Sequence, residues 1–267
     1  KENYDYLKFD LQQKKKYATE YFFSVFPKRL KLFRHIKEIN SEYKKPAYKH
    51  SSITGRLAIS SGTNFLTMKK SLRNKLKHEN KNRVLYELDF KSCEPNFYAR
   101  YFSLIPREVE DIYEFISKEI DIEVDRDNIK KVILSTIYGA NQRSLSRVTG
   151  ISIKKIKKIN ELLNIESFEQ SLKNEYLEKG FIENAYGRPI LSNNNLVNYW
   201  IQSSAVDFCC LSFLNFVNEN PTIELHAVIH DAIIFSAEAS DKSFLIDDLG
   251  DKNISIPVKI KRVSCDN

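Results

Sequence analysis

Two aspartates stand where apolar, strand-like runs end: Leu88-Asp89-Phe90 and Ile229-His230-Asp231. Carboxylates on adjacent strand ends can hold two divalent metal ions close together, the apparatus for in-line attack on a phosphate. Between them in sequence, Arg126, Lys130, Leu134 and Tyr138 recur at intervals of four. On a helix each step of four drifts about 40°, so the set forms a slanted stripe on one face. Asp125 is a natural N-cap just before it. A guanidinium and an ammonium one turn apart, near a helix N-terminus, suit a triphosphate tail. Each feature also has a plainer reading: a turn aspartate, a solvated basic face, a core tyrosine. Metal-binding carboxylates together with a cationic helix point to a nucleoside-triphosphate site.

The elements that must position these residues follow from periodicity and punctuation. Residues 84–90 read as a buried strand, and Pro95 suits the first turn of a helix after it. Residues 95–180 read as mostly helical, with Gly139, Gly150 and Gly180 marking ends or turns. Tyr186-Gly187-Arg188-Pro189 is a turn, and 195–218 is one long helix. Residues 225–229 and 233–236 flank His230-Asp231-Ala232 as a tight hairpin, and 254–263 supply a last strand. Strands, a helical insertion, then strands again is an α+β order in which the insertion divides one sheet. Upstream, 51–67 read as loop with a short strand. Apolar spacing near Tyr21–Phe33 predicts two short helices broken at Pro27. The run 69–83 is strongly basic, either a solvated helix face or a surface for phosphates.

The chain of 267 residues, 42% apolar with 7 Gly and 7 Pro, can bury a sizeable core. Its net charge of +7 suits a polyanionic partner or an ordinary lysine-rich surface. The four cysteines fit no zinc spacing, and adjacent Cys209-Cys210 reads as core packing. That argues against a disulfide framework and for a cytoplasmic or other reducing compartment. Gln202 and Asp207 interrupt the longest apolar run, so no bilayer-spanning segment and no membrane partner are expected.

Arg126-x-x-x-Lys130-x-x-x-Leu134-x-x-x-Tyr138-Gly139 resembles the fingers-helix motif of family A DNA polymerases, the bacterial DNA polymerase I group. Asp89-Phe-Lys-Ser-Cys-Glu94 resembles that family's first catalytic motif, and His230-Asp231 its third. Thr54-Gly55-Arg56-Leu57 with Asn64, Asp111-Ile112, and Asn198-x-x-x-Gln202-Ser-Ser-Ala-Val-Asp207 fall in the family's order. The resemblance implies a right-hand palm, an antiparallel sheet with helices, carrying an inserted helical fingers subdomain. It divides the chain into 1–50, a helical segment and reduced or partial thumb; 51–104, first part of the palm; 105–188, fingers; and 189–267, second part of the palm.

The resemblance also implies roles. Asp89 and Asp231 bind two Mg²⁺ ions, with Mn²⁺ able to replace them in vitro. Arg126 and Lys130 grip the incoming dNTP, Tyr138 packs beside the nascent pair, and Leu134 and Tyr113 belong to the same nucleotide site. Glu94 lies under the sugar and excludes a 2′-hydroxyl. Arg56, Asn198, Gln202 and His230 contact primer–template DNA, where amide and guanidinium donors meet minor-groove acceptors common to every base pair. An accessory or upstream thumb or exonuclease region is a further expected partner. The implied function is addition of dNMPs to a primer 3′ end in replication or repair.

Four positions depart from the pattern. Ala232 stands where a glutamate is usual, which implies weaker metal affinity or a lower rate. Leu134 replaces Phe or Tyr, which puts discrimination at the 3′ position in question. Tyr113 replaces His, so one phosphate contact becomes neutral. Lys91 occupies a usually small position and adds a cation. Two alternatives stay open: a polymerase-like module that binds primer–template without synthesis, and a ribonucleotide-using single-subunit polymerase, against which Glu94 argues.

Overall fold

The computed structural model describes residues 36–38, 41–42, 46–50, 53–251 and 254–263. The helices expected around Pro27, and with them most of the 1–50 segment, lie outside the described residues. In chain order the elements are β1 (Ile36–Glu38), β2 (Ser41–Glu42), β3 (Ala47–His50), β4 (Leu57–Ser61), α1 (Lys70–Arg73), β5 (Lys77–His78), β6 (Arg83–Phe90), α2 (Cys93–Tyr101), α3 (Ile112–Glu119) and α4 (Arg126–Ile137). They continue with α5 (Gln142–Thr149), α6 (Ile153–Leu162), α7 (Ile165–Lys179), β7 (Ile182–Glu183), β8 (Pro189–Ile190), α8 (Leu196–Glu219), β9 (Glu224–Ile229), β10 (Ala232–Glu238), β11 (Asp248–Gly250) and β12 (Ser255–Arg262). The architecture is α+β. The chain divides into a sheet unit, Lys1–Lys91 with Val206–Asn267, and a helical unit, Ser92–Ala205. The helical unit extends beyond 105–188 at both ends.

The sheet unit centres on a five-stranded antiparallel sheet ordered β11-β12-β6-β10-β9. Strand β6 sits in the middle, and Leu85, Tyr86, Leu88 and Phe90 are buried. One face carries Tyr86 and Phe90 into an aromatic core. Phe90 lies 5.4 Å from Phe208 and 5.5 Å from Phe213 of α8, and Phe235 of β10 meets Phe216 at 5.4 Å (ring centroids). The other face carries Leu85, Ala227, Ile229, Ala232 and Ile234, packed with Phe65 and Leu76. Strand β9 is an edge of this sheet. The Tyr48 hydroxyl of β3 both accepts from the Val228 N–H and donates to the Val228 carbonyl, each at 3.0 Å, satisfying one residue of that edge.

The helical unit is held by aromatic side chains from distant segments. Tyr98 of α2 packs on Phe168 of α7 at 5.6 Å, and Phe168 meets Trp200 of α8 at 5.0 Å. The Tyr98 hydroxyl donates to the Leu163 carbonyl at 2.8 Å. These contacts explain why α2 and the first half of α8 belong with the inserted helices. Gly150 and Gly180 end α5 and α7 in the left-handed conformation that a Cβ disfavours. Asn184 Nδ2 donates to Ser203 and its Oδ1 accepts the Tyr186 and Arg188 N–H groups, each at 2.9 Å, so the predicted turn is tied to α8.

One expectation is corrected. Helix α8 has 24 residues and, by length and hydropathy, is apolar enough to cross a membrane. Its most apolar stretch is 83% buried inside the protein, as in the core helix of a globular domain. Its polar residues Ser203, Ser204 and Asp207 are themselves buried, and Ser203 is the acceptor for Asn184. Cys93, Cys209 and Cys210 are buried, and for Cys209 and Cys210 this is the core packing their apolar run predicted.

Candidate functional site

The carboxylate pair of the sheet unit is built by strand register. Strands β9 and β10 pair antiparallel with Ile229 opposite Ala232, which leaves His230 and Asp231 as a two-residue turn. His230 adopts a positive φ of 53°, as such a turn requires. Strand β10 pairs with β6 so that Ala232 faces Asp89. The Phe90 N–H donates to the Asp231 carbonyl at 3.1 Å, carrying the ladder one step past the strand end. The two aspartates are thereby brought to neighbouring strand ends. Burial, then the charges of Asp231 and Glu87, push the Asp89 carboxyl up to about 6, against a partial offset from Lys261 and Arg73.

Sequence reasoning missed Glu87. It lies two residues before Asp89 on the same strand and therefore on the same face. Glu87 is 3% exposed and ion-paired on both sides, with Arg73 Nε at 3.0 Å and Lys261 Nζ at 2.6 Å. A charged residue at period two from Asp89, inside an otherwise apolar run, was the signal available. On the flanking strand β12, Lys259 faces Asp89 and Lys261 faces Glu87. Partial burial and the positive charge of Arg56 hold His230 below the ordinary histidine pKa, so two of the expected DNA-contacting residues influence each other. Lys91 is exposed, and its N–H donates to the Pro257 carbonyl at 2.8 Å.

In the helical unit, the expected nucleotide-binding residues are placed by helix starts. Asp125 caps α4 as expected, its Oδ1 accepting the Asp127 and Asn128 N–H groups at 3.0 and 2.9 Å. Helix α4 buries Ile129, Val132, Ile133, Thr136 and Ile137. The stripe therefore points away from this packed face: Arg126 and Lys130 are exposed, Leu134 and Tyr138 half-buried. The Tyr138 hydroxyl donates to Glu94 Oε2, which joins the helix end to the first turn of α2. Asp111 caps α3 through the Tyr113 and Glu114 N–H groups, and its other oxygen accepts from Arg126 Nε at 3.0 Å and is ion-paired with Nη2 at 2.9 Å. Tyr113 is 1% exposed, with the Arg126 guanidinium 5.3 Å from its ring centroid. Asn198 and Gln202 share a face of α8, and Gln202 Nε2 donates to Asn198 Oδ1 at 2.6 Å.

A second donor cluster lies at the start of β9, away from the Asp231 turn. The ligand atoms of His78, Glu224 and His226 fall within 4.8 Å of one another. His78 Nδ1 accepts the Asn80 N–H at 3.0 Å, so the proton of the neutral ring is on Nε2, which faces Glu224 at 3.5 Å. A metal at that nitrogen would have to break the Asn80 turn. Arg83, 3.7 Å from the same carboxylate, already supplies a cation. The cluster reads as a tie between β5, β6 and β9.

An antiparallel sheet with one aspartate at a hairpin tip and another on the neighbouring strand, interrupted in sequence by a helical insertion, is a polymerase palm with inserted fingers. The fold matches the POL domain of Pol1 from M. smegmatis, solved in complex with DNA primer-template and dNTP. The TM-score is 0.62 at 14% identity, covering 81% of this chain and 47% of that one. Residues 28–252 match DNA polymerase family A, and the chain belongs to that family. The DNA polymerase of Mycobacterium phage L5 is 31% identical over 128 residues, 45% of this chain and 22% of the phage protein. That of Mycobacterium phage D29 is 27% identical over 124 residues, 43% and 20% respectively. The matched segments thus span about a fifth of the phage proteins' length.

Proposed function

We propose that this chain performs template-directed DNA synthesis, adding a dNMP to a primer 3′ end and releasing pyrophosphate. The observation that carries this reading is the register that brings Asp89 and Asp231 to neighbouring strand ends. Two carboxylates form a hard-oxygen donor set suited to Mg²⁺. Their crowding, which leaves Asp89 hard to ionise alone, is the electrostatic condition that a divalent cation relieves. Asp89 and Asp231 would hold two ions, with Mn²⁺ as a substitute. Bound there, such ions lower the pKa of the primer hydroxyl and neutralise charge on the leaving pyrophosphate.

The chain's own residues supply the rest. The primer 3′ oxygen bonds to the α-phosphorus as the bond to the pyrophosphate oxygen breaks. Arg126 and Lys130, exposed one turn apart at the start of α4, hold the triphosphate and meet the charge that develops on it. Glu94, held by Tyr138, sets the space under the sugar, and its carboxylate disfavours a 2′-hydroxyl that would disturb that bond. Leu134 and Tyr138 pack against the base and sugar. Arg56, His230, Asn198 and Gln202 position the primer–template.

Primer extension with Mg²⁺, comparing dNTPs with NTPs and wild type with Asp231→Ala, tests the proposal. Extension by dNTPs that disappears in the variant is expected. Extension surviving in Asp231→Ala would overturn the metal assignment. Absent extension with salt-sensitive binding of primer–template would mean a binding module, the reading that Ala232 favours.

A further inference from the structure

Arg126 is held on two sides in a way that its role as a triphosphate ligand does not require. Along one edge, Nε donates to an Asp111 oxygen that also lies 2.9 Å from Nη2 as an ion pair. That carboxylate cannot swing away freely, because its other oxygen caps α3 through the N–H groups of Tyr113 and Glu114. Beneath the guanidinium lies the buried Tyr113 ring. Arg126 Nη1 makes no hydrogen bond among the described residues, and the side chain is 59% exposed. A flexible side chain at a helix start is thus fixed on one edge and one face, with the remaining edge open to solvent. The phenol cannot reach a phosphate from this position while the ring remains buried.

We propose that Tyr113 and Asp111 are positioning residues that hold the Arg126 guanidinium ready for the triphosphate, Tyr113 by stacking and Asp111 by a hydrogen-bonded ion pair. This rests on the polymerase reading, in which Arg126 binds the incoming nucleotide. Pre-ordering a long side chain removes part of the entropy lost when the nucleotide binds, so the effect falls on nucleotide affinity rather than on the chemical step.

The test measures kcat and the dNTP KM in primer extension for wild type, Arg126→Ala, Tyr113→Phe, Tyr113→Leu and Asp111→Asn. Asparagine caps a helix as well as aspartate, so Asp111→Asn keeps α3 and removes only the ion pair. It keeps the proposal testable if Tyr113→Leu does not fold. Tyr113→Leu and Asp111→Asn should each raise KM about threefold to thirtyfold with kcat nearly unchanged. Tyr113→Phe, which keeps the ring, should restore wild-type KM. Neither substitution should raise KM further in an Arg126→Ala background. An unchanged or lowered KM in Asp111→Asn overturns the proposal, as does a Tyr113→Phe that behaves like Tyr113→Leu. If Arg126→Ala itself leaves KM unchanged, or wild type does not extend a primer, the underlying polymerase reading fails instead.

Discussion

The sheet unit and the helical unit each place a group of the expected site residues, by different means. In the sheet unit the geometry is set by the backbone. Register fixes Asp89 and the His230-Asp231 turn, and an aromatic core on the opposite face of β6 leaves little freedom to adjust. In the helical unit the geometry is set by side chains. Arg126 and Lys130 project from an exposed stripe, and Arg126 is oriented by an ion pair and a ring. A site that gathers like charges needs a rigid frame, because the carboxylates repel. A site that gathers opposite charges can arrange itself.

The sharpest way to break this comparison is Asp89→Asn. Activity should fall by about a thousandfold or more, since a ligand fixed by register has no neighbour to replace it. Retained activity would mean that the register is not what builds the site. Next in size is Glu94→Ala. Loss of the gate and of its bond to Tyr138 should lower the dNTP/NTP preference about tenfold to a hundredfold in competition assays. An unchanged ratio would remove Glu94 from the sugar site.

Stability separates the two regions in the opposite sense. The folded Asp89 carboxyl is raised from 3.8 to about 6, so between those values the folded state binds more protons than the unfolded state. In metal-free protein this contribution is lost as pH rises from about 4 to about 6. Melting curves of wild type should therefore fall relative to Asp89→Asn across that window. At pH 7 the variant should melt about 2–4 °C higher after allowing for solvent screening. Added Mg²⁺ should narrow the gap by stabilising wild type alone. The smallest effect is expected for Tyr48→Phe, which strips two hydrogen bonds from Val228. It should cost about 1–2 kcal/mol in denaturant unfolding and leave the dNTP KM unchanged.

Local signals were legible in the sequence. Asp125 caps its helix, the four-residue stripe stays off the packed face, and His230-Asp231 forms the hairpin tip, because each depends on residues within a few positions of one another. The long-range partners were not legible. Glu87 is neutralised by Arg73 and Lys261, fourteen residues before it and 174 after it, and no local pattern links these three. Burial of Tyr113 beneath Arg126 depends on α3 meeting α4. The neighbourhood of β6 was hidden for the same reason: both strands that flank it come from the far end of the sequence.

That last feature bears on how the chain is made. The strand carrying Asp89 is finished early, yet its neighbours β10 and β12 begin at Ala232 and Ser255. During synthesis β6 must stay unpaired while more than a hundred residues follow, and the helical insertion, rich in local contacts, can fold meanwhile. The helices are therefore expected to form first and the strand carrying Asp89 to pair last. The exposed edges of β6 make the interval before β12 emerges the period when misassembly and aggregation are most favoured.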